Sequence, residues 1–206
     1  MARNKRISFL AELTKGYDRV LDIGTDHGLV LQKAFEKGYI KEAIATDLRE
    51  KPLQQAKKNL KNYPTTYILS DGFLAVKAPF DLGIIAGMGA YLIADIMDHA
   101  PKGNQTYILQ ANEKIEILRA YLMNHEFKIV DEYVVHDRFY YVVLKVERGL
   151  MVLDEEDLYL GPILKNKPES IEYYARKAHQ IEKILPGADP ERQIELGKML
   201  KIYKNL

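Results

Sequence analysis

The sequence predicts an α/β protein built on a doubly wound, mostly parallel sheet. Three observations carry this. Short apolar runs alternate with helical patterns of about 10–15 residues, as strand–helix–strand crossovers require. The first strong run, Val20-Leu21-Asp22-Ile23-Gly24-Thr25-Asp26-His27-Gly28, ends in a glycine-spaced turn of the kind that closes on nucleotide-like ligands. The series then ends on two strand-like segments joined too tightly for a crossover helix, which must pair antiparallel.

The elements follow in order. Residues 3–15 form an amphipathic helix with Ile7, Leu10, Ala11 and Thr14 at helical spacing and Gly16 as its stop. Strands are expected at 19–23, 42–47, 66–69, 80–85 and 106–109, with helices after the first, second, fourth and fifth and the turn Ser70-Asp71-Gly72 after the third. Pro52 falls in a first helical turn, where its missing N–H costs little, and Tyr63-Pro64 ends that helix. Strands 131–135 and 140–146 make the closing hairpin. Five crossover units plus a hairpin give a seven-stranded, mostly parallel sheet, the class I (Rossmann-like) methyltransferase order rather than that of six-stranded dehydrogenases.

After the sheet the pattern changes. Residues 1–148 are expected to form the sheet domain, 149–165 a connector with the acidic run Asp154-Glu155-Glu156-Asp157, and 166–206 a C-terminal antiparallel helical hairpin. Asn166 and Glu169 have capping-box spacing. Ile171, Tyr174, Ala178, Ile181 and Leu185 form a heptad-like, coiled-coil-like seam. Asp189-Pro190 offers a cap and a first-turn proline for the last helix, with Leu196, Met199, Tyr203 and Leu206 apolar.

Composition excludes several classes. The 206 residues, 47% hydrophobic, suit one ordinary domain with a small appendage. Without cysteine there is no disulfide, thiolate metal site or cysteine nucleophile. No apolar run approaches the roughly 18–20 residues that span a bilayer. The start, Met1-Ala2-Arg3-Asn4-Lys5-Arg6, lacks an apolar signal core, so the expected location is cytoplasmic. The five histidines show no ligand spacing, and no metal is expected. Net charge is only +1, but Arg3, Lys5, Arg6, Lys15 and Arg19 form one basic cluster, and Arg49, Lys51, Lys57, Lys58 and Lys61 another. Each reads either as a phosphate-contacting face or as a solvated helix surface.

Ligands of open parallel sheets bind at the carboxyl ends of the strands. Those ends carry Gly24, Thr25, Asp26 and His27; Asp47 and Leu48; Ser70, Asp71 and Gly72; Ala86, Gly87, Met88 and Gly89; and Gln110 with Asn112. Asp47 lies about 20 residues beyond the turn, where a carboxylate accepts from ribose hydroxyls. Its plainer reading is a helix cap. Asp71 could accept from an adenine amino group beside Gly72. The turn itself departs from D-x-G-x-G-x-G: Asp22, Gly24 and Gly28 fit, but Asp26 replaces the central glycine. A carboxylate there repels pyrophosphate and suits a cationic ligand such as S-adenosylmethionine. His27 beside Asp26 reads more readily as a hydrogen-bonded structural residue than as a proton carrier. Ala86-Gly87-Met88-Gly89 stands where enzymes that methylate exocyclic amines carry Asn/Asp-Pro-Pro-aromatic, and an adaptable methionine between glycines suits a flat ring.

Together, Asp22-Ile23-Gly24-Thr25-Asp26-His27-Gly28, Ser70-Asp71-Gly72, Ile85-Ala86-Gly87-Met88-Gly89 and Ile108-Leu109-Gln110-Ala111-Asn112 resemble the bacterial TrmK family, as do Leu160-Gly161-Pro162 and the C-terminal hairpin. Ala111 and Ala90 depart from it, where the family often has proline and glycine. The resemblance implies S-adenosylmethionine as cofactor and N1 of adenine 22 of tRNA as methyl acceptor. It places the cofactor against Asp22, Gly24, Thr25, Asp26, His27, Gly28, Asp47, Leu48, Ser70, Asp71, Gly72, Ala86, Gly87 and Met88.

The N1 lone pair attacks in line and needs no prior deprotonation, so the expected work is positioning. Asp26 and Asn112 are the expected catalytic acceptors for the adenine as it turns cationic. N1 lies on the pairing edge, so the base must be unpaired or flipped out. Met88, Gly89 or Tyr91 would then contact it, with Arg3, Lys5, Arg6, Lys57, Lys58 and Lys61 on the tRNA body. Rival readings are a methyltransferase for another RNA position and a non-catalytic RNA-binding adaptor. Oligomeric state stays open, a monomer being one reading.

Overall fold

Five apolar runs become parallel strands, β1 (Arg19–Ile23), β2 (Glu42–Asp47), β3 (Thr65–Leu69), β4 (Leu82–Met88) and β5 (Thr106–Ala111). The computed structural model describes residues 5–205. Helices α1 (Lys5–Glu12), α2 (Leu29–Glu36), α3 (Glu50–Asn59), α4 (Ala90–Met97) and α5 (Ile115–Asn124) precede or connect the strands. The hairpin β6 (Phe127–His136) and β7 (Tyr140–Arg148) is antiparallel, and β7 also pairs antiparallel with β5. The sheet order is β3-β2-β1-β4-β5-β7-β6. β5 is buried along its whole length and β1 from Val20 onward, as central parallel strands covered on both faces must be. β4 and β5 run further than their apolar cores suggest, bringing Met88 and Ala111 opposite each other.

The chain leaves β1 to one side for β2 and β3, then crosses back to β4 and β5 on the other. The switch point therefore lies between β1 and β4, where the crevice of such a sheet opens.

The connector is more ordered than its composition suggests. The acidic run starts a helix, α6 (Glu155–Leu160), with the side chains of Asp154 and Asp157 each accepting from the other's backbone N–H. The expected box at Asn166 and Glu169 does not form. Pro168 holds Lys167 extended, so that stretch becomes two 3₁₀ turns and α7 (Ile171–Ile184) starts later. The heptad-like seam also shifts: Ile171 is 68% exposed, and the buried positions are Tyr173, Tyr174, Ala178 and Ile181. A coiled-coil seam serves one partner helix, whereas α7 faces both α8 (Pro190–Lys204) and the sheet. Tyr174 meets Tyr203 of α8, and Tyr173 meets Tyr140 of β7, each about 6 Å between ring centroids. Asp189 caps α8 as expected, its side chain accepting from Arg192 N at 2.9 Å; Leu206 lies outside the described residues.

A buried ion pair fastens the connector to the sheet. Arg119 Nε on α5 donates to Glu132 Oε1 on β6 at 2.9 Å, both side chains without exposure. Glu132 Oε2 also accepts from the backbone of Ile163 and Leu164, and Arg119 Nη1 donates to the carbonyls of Leu158 and Tyr159. Gly161 sits between them: a Cβ there would lie 2.4 Å from Glu132 Oε2, on backbone at φ +89°. Among the described residues no helix is long and apolar enough to cross a membrane.

Candidate active site

A cavity of about 630 Å³ opens at the switch point, walled by the ends of β1 to β4 and by α1. Its floor is Asp22. Thr25 Oγ1 donates to Asp22 Oδ2 at 2.7 Å, and Thr25 N reaches back to Thr46 O at 2.8 Å, which pulls the chain into the turn. Burial pushes the Asp22 carboxyl up to about 6; the Thr25 bond opposes that shift, and the charges of Asp47 and Asp26 add to it.

The turn has little room. Gly24 has φ +71°, and a Cβ there would fall 2.1 Å from Met88 Cε of β4. Asp26 has φ +49°, the left-handed conformation that glycine adopts without penalty and that aspartate tolerates better than most residues. This explains why the usual motif has glycine at that position. The Asp26 side chain is 65% exposed, with His27 Nε2 3.6 Å away.

Asp47 is not the N-cap of α3, a position that falls to Arg49. Its Oδ1 accepts from Arg49 N at 2.9 Å just before α3, and its Oδ2 faces Asp26 N at 3.4 Å. It is buried yet lines the cavity, with Leu48 beside it. Ser70 lines the wall too, but its hydroxyl is spent on the local turn, donating to Gly72 O and accepting from Ala75 N. Asp71, Gly72, Ala86, Gly87 and Met88 complete the wall.

Several expected residues lie elsewhere. Asn112 lines a second cleft of about 260 Å³ between the tip of β5 and the C-terminal helices. Its carboxamide is engaged on both sides, donating to Gly87 O at 2.8 Å and accepting from Gln110 Nε2 at 3.2 Å. In the structure the side chain is thus directed at Gly87 and Gln110, with one lone pair of Oδ1 left to accept. Gly89 caps α4, and Tyr91 stands 57% exposed on the first turn with Lys114 Nζ 5.1 Å from its ring. Neither lines the cavity.

Lys57, Lys58 and Lys61 are exposed on and just after α3, and Lys5 is exposed on α1. Arg6 departs from the phosphate-contact reading: its guanidinium turns inward to the cavity wall, bonding Gln110 and lying over Tyr141. Arg3 lies outside the described residues. Ile7, Leu10, Leu29, Val30, Leu92 and Ile96 also line the cavity. The only sequence signal they carry is apolarity at helical positions.

A seven-stranded sheet of this order, with its cavity at the β1/β4 switch point, defines a class I, Rossmann-like methyltransferase fold. Residues 20–200 match the family model TrmK: tRNA (adenine(22)-N(1))-methyltransferase, and the chain belongs to that family. A Mycoplasma pneumoniae protein provisionally named a tRNA methyltransferase is 31% identical over 183 residues, 82% of this chain and 86% of that one. The tRNA (adenine(22)-N(1))-methyltransferase of Bacillus subtilis is 29% identical over 155 residues, 71% of this chain and 65% of its own length. A Streptococcus pneumoniae structure in complex with S-adenosyl-L-methionine is 30% identical with a TM-score of 0.86, covering 98% of both chains.

Proposed function

We propose that this protein transfers a methyl group from S-adenosylmethionine to N1 of adenine 22 of tRNA. The observation that carries the proposal, within the family, is the set of carboxylates at three successive strand tips around a turn where Asp26 stands in place of the glycine that admits a pyrophosphate. Asp22 and Asp26 belong to β1, Asp47 to β2 and Asp71 to β3. The residues suit the cofactor. Gly24, where a Cβ would strike Met88 Cε, keeps bare backbone at the cavity wall, and Asp47 is held by two backbone N–H groups at a position that can accept from a ribose diol. When bound, S-adenosylmethionine supplies a methyl carbon activated by an adjacent sulfonium.

The remaining work falls to the chain. Asp22, costly to ionise in its buried setting, is stabilised as the anion by a cationic ligand above it. Asp71 and the backbone of Gly72 face the cofactor's adenine. N1 of the target adenine reacts through its own lone pair, so the protein has no proton to remove before attack. Its task is alignment, together with an acceptor environment for the positive charge that spreads over the ring. Asp26, exposed toward the cavity mouth, supplies that environment. Met88 offers the apolar surface for the base, which enters unpaired. Lys57, Lys58, Lys61 and Lys5 contact phosphates of the tRNA body.

The test is nucleoside mass spectrometry of unmodified tRNA incubated with protein and S-adenosylmethionine. 1-Methyladenosine mapped to position 22 is expected. A methylated exocyclic amine, or no product alongside normal cofactor binding, would overturn the reading.

A further inference from the structure

Gln110 is fully buried near the end of β5, in register with Ala86 of β4. It is the centre of a directed chain of hydrogen bonds. Arg6 Nη1 donates to Gln110 Oε1 at 2.7 Å, Gln110 Nε2 donates to Asn112 Oδ1 at 3.2 Å, and Asn112 Nδ2 donates to Gly87 O at 2.8 Å. The polarity of this chain is forced. Arginine has only donors, so Gln110 must turn its oxygen to Arg6 and its amide nitrogen to Asn112. Asn112 must then present its nitrogen to the carbonyl of Gly87.

The chain also comes back close to the residue on which it ends. Arg6 Nη1 lies 3.2 Å from the point a Cβ on Gly87 would occupy. Gly87 itself has φ +81°, where the pairing of β4 with β5 shifts register between Ala86 and Met88. Such a bulge redirects the chain locally. Here the redirected residues are the tip of β4 at the cavity wall.

We infer that Arg6 and Gln110 are positioning residues for the methyl acceptor, acting through Asn112 to hold the Gly87–Met88 tip in the orientation that receives the target base. The inference rests on the methyltransferase reading above. It assigns Arg6 to the interior of the site rather than to the tRNA backbone.

The informative variant is Gln110→Glu. It keeps the volume and the acceptor for Arg6 but has no donor for Asn112, so the tip loses its fixed partner. Gln110→Leu severs the chain entirely. Each would be measured for thermal stability, S-adenosylmethionine affinity by calorimetry, tRNA affinity, and single-turnover methylation at saturating substrates. NMR chemical shifts of the Gln110 and Asn112 side-chain amides report the chain directly.

Gln110→Glu is expected to bind cofactor and tRNA within about threefold of wild type, to shift the Asn112 side-chain amide resonances, and to methylate about tenfold more slowly. Arg6→Lys should retain more rate than Arg6→Ala. An unchanged single-turnover rate, or a loss of cofactor affinity as large as the loss of rate, overturns the inference. A wild-type protein that makes no 1-methyladenosine overturns the functional reading first, before any variant is compared.

Discussion

Thr25 donates its hydroxyl to Asp22 at 2.7 Å, and this single bond opposes a burial that otherwise drives the carboxylate toward its neutral form. The folded chain thus holds a proton on Asp22 up to about pH 6, whereas the unfolded chain releases it near 3.8. Between those values the folded state binds more protons, so stability falls as pH rises through the window, by about 3 kcal/mol in all, and the cost is fully present above it. Asp22→Asn removes that cost and keeps an oxygen for Thr25. The ligand-free variant should therefore be more stable than wild type at pH 8 by about 1–3 kcal/mol, an advantage that shrinks toward pH 4. The same variant should bind S-adenosylmethionine far more weakly, and wild-type affinity should drop as pH falls below about 6. Denaturant titrations and calorimetry at several pH values check both signs; a variant less stable than wild type at pH 8 would contradict the account.

Asp26 separates backbone from charge. At φ +49°, Asp26→Gly relaxes the turn and should stabilise the protein by about 0.5–1 kcal/mol, while Asp26→Ala strains it by a similar amount. If the carboxylate acts on the developing adenine cation, both variants should lose methylation rate equally, by about 10–100-fold, despite their opposite stabilities. Thermal melts paired with single-turnover rates decide the matter. A glycine variant at full rate would reduce Asp26 to a turn residue.

What was legible in the sequence follows from range. β1, β2 and the closing hairpin announce themselves through local apolar runs and short spacing, and Asp189-Pro190 through local capping chemistry. The strand tips could be named because the carboxyl ends of parallel strands are where ligands bind in this architecture. Asn112 was placed at the correct tip, but its direction depends on Gln110 and Gly87, and no local pattern encodes that. Arg6 and Gln110 stand 104 positions apart, and Glu132 meets Leu164 across 32. The heptad-like seam misled for the same reason: it counts periodicity along α7 and is blind to a second packing surface at Tyr140.

Arg119 and Glu132 give the sharpest stability test. Arg119→Met leaves a buried carboxylate without its cation and should cost about 3–5 kcal/mol. Adding Glu132→Leu removes the stranded charge but also the acceptor of Ile163 N and Leu164 N, so recovery should be only partial. A double-mutant cycle in denaturant measures the coupling. Full recovery would mean that the connector does not need Glu132 to hold it.

The basic face of α3 lies beside the cavity, which makes its proposed contact with RNA testable. Asn59 Nδ2 donates to His27 O at 2.9 Å, tying the end of α3 to the β1 turn that lines the site. Lys58 and Lys61 flank Asn59, and neither has an ion-pair partner among the described residues; Lys57 lies over the Tyr67 ring at 5.6 Å. Each phosphate contact by such a lysine contributes roughly 0.7–0.9 to the slope of log affinity against log salt. Reversing all three charges to glutamate should therefore weaken tRNA binding at low salt and flatten that slope by about 2, with cofactor affinity unchanged. Filter binding across a salt series reads the slope directly, and an unaltered slope would remove this face from the RNA interface.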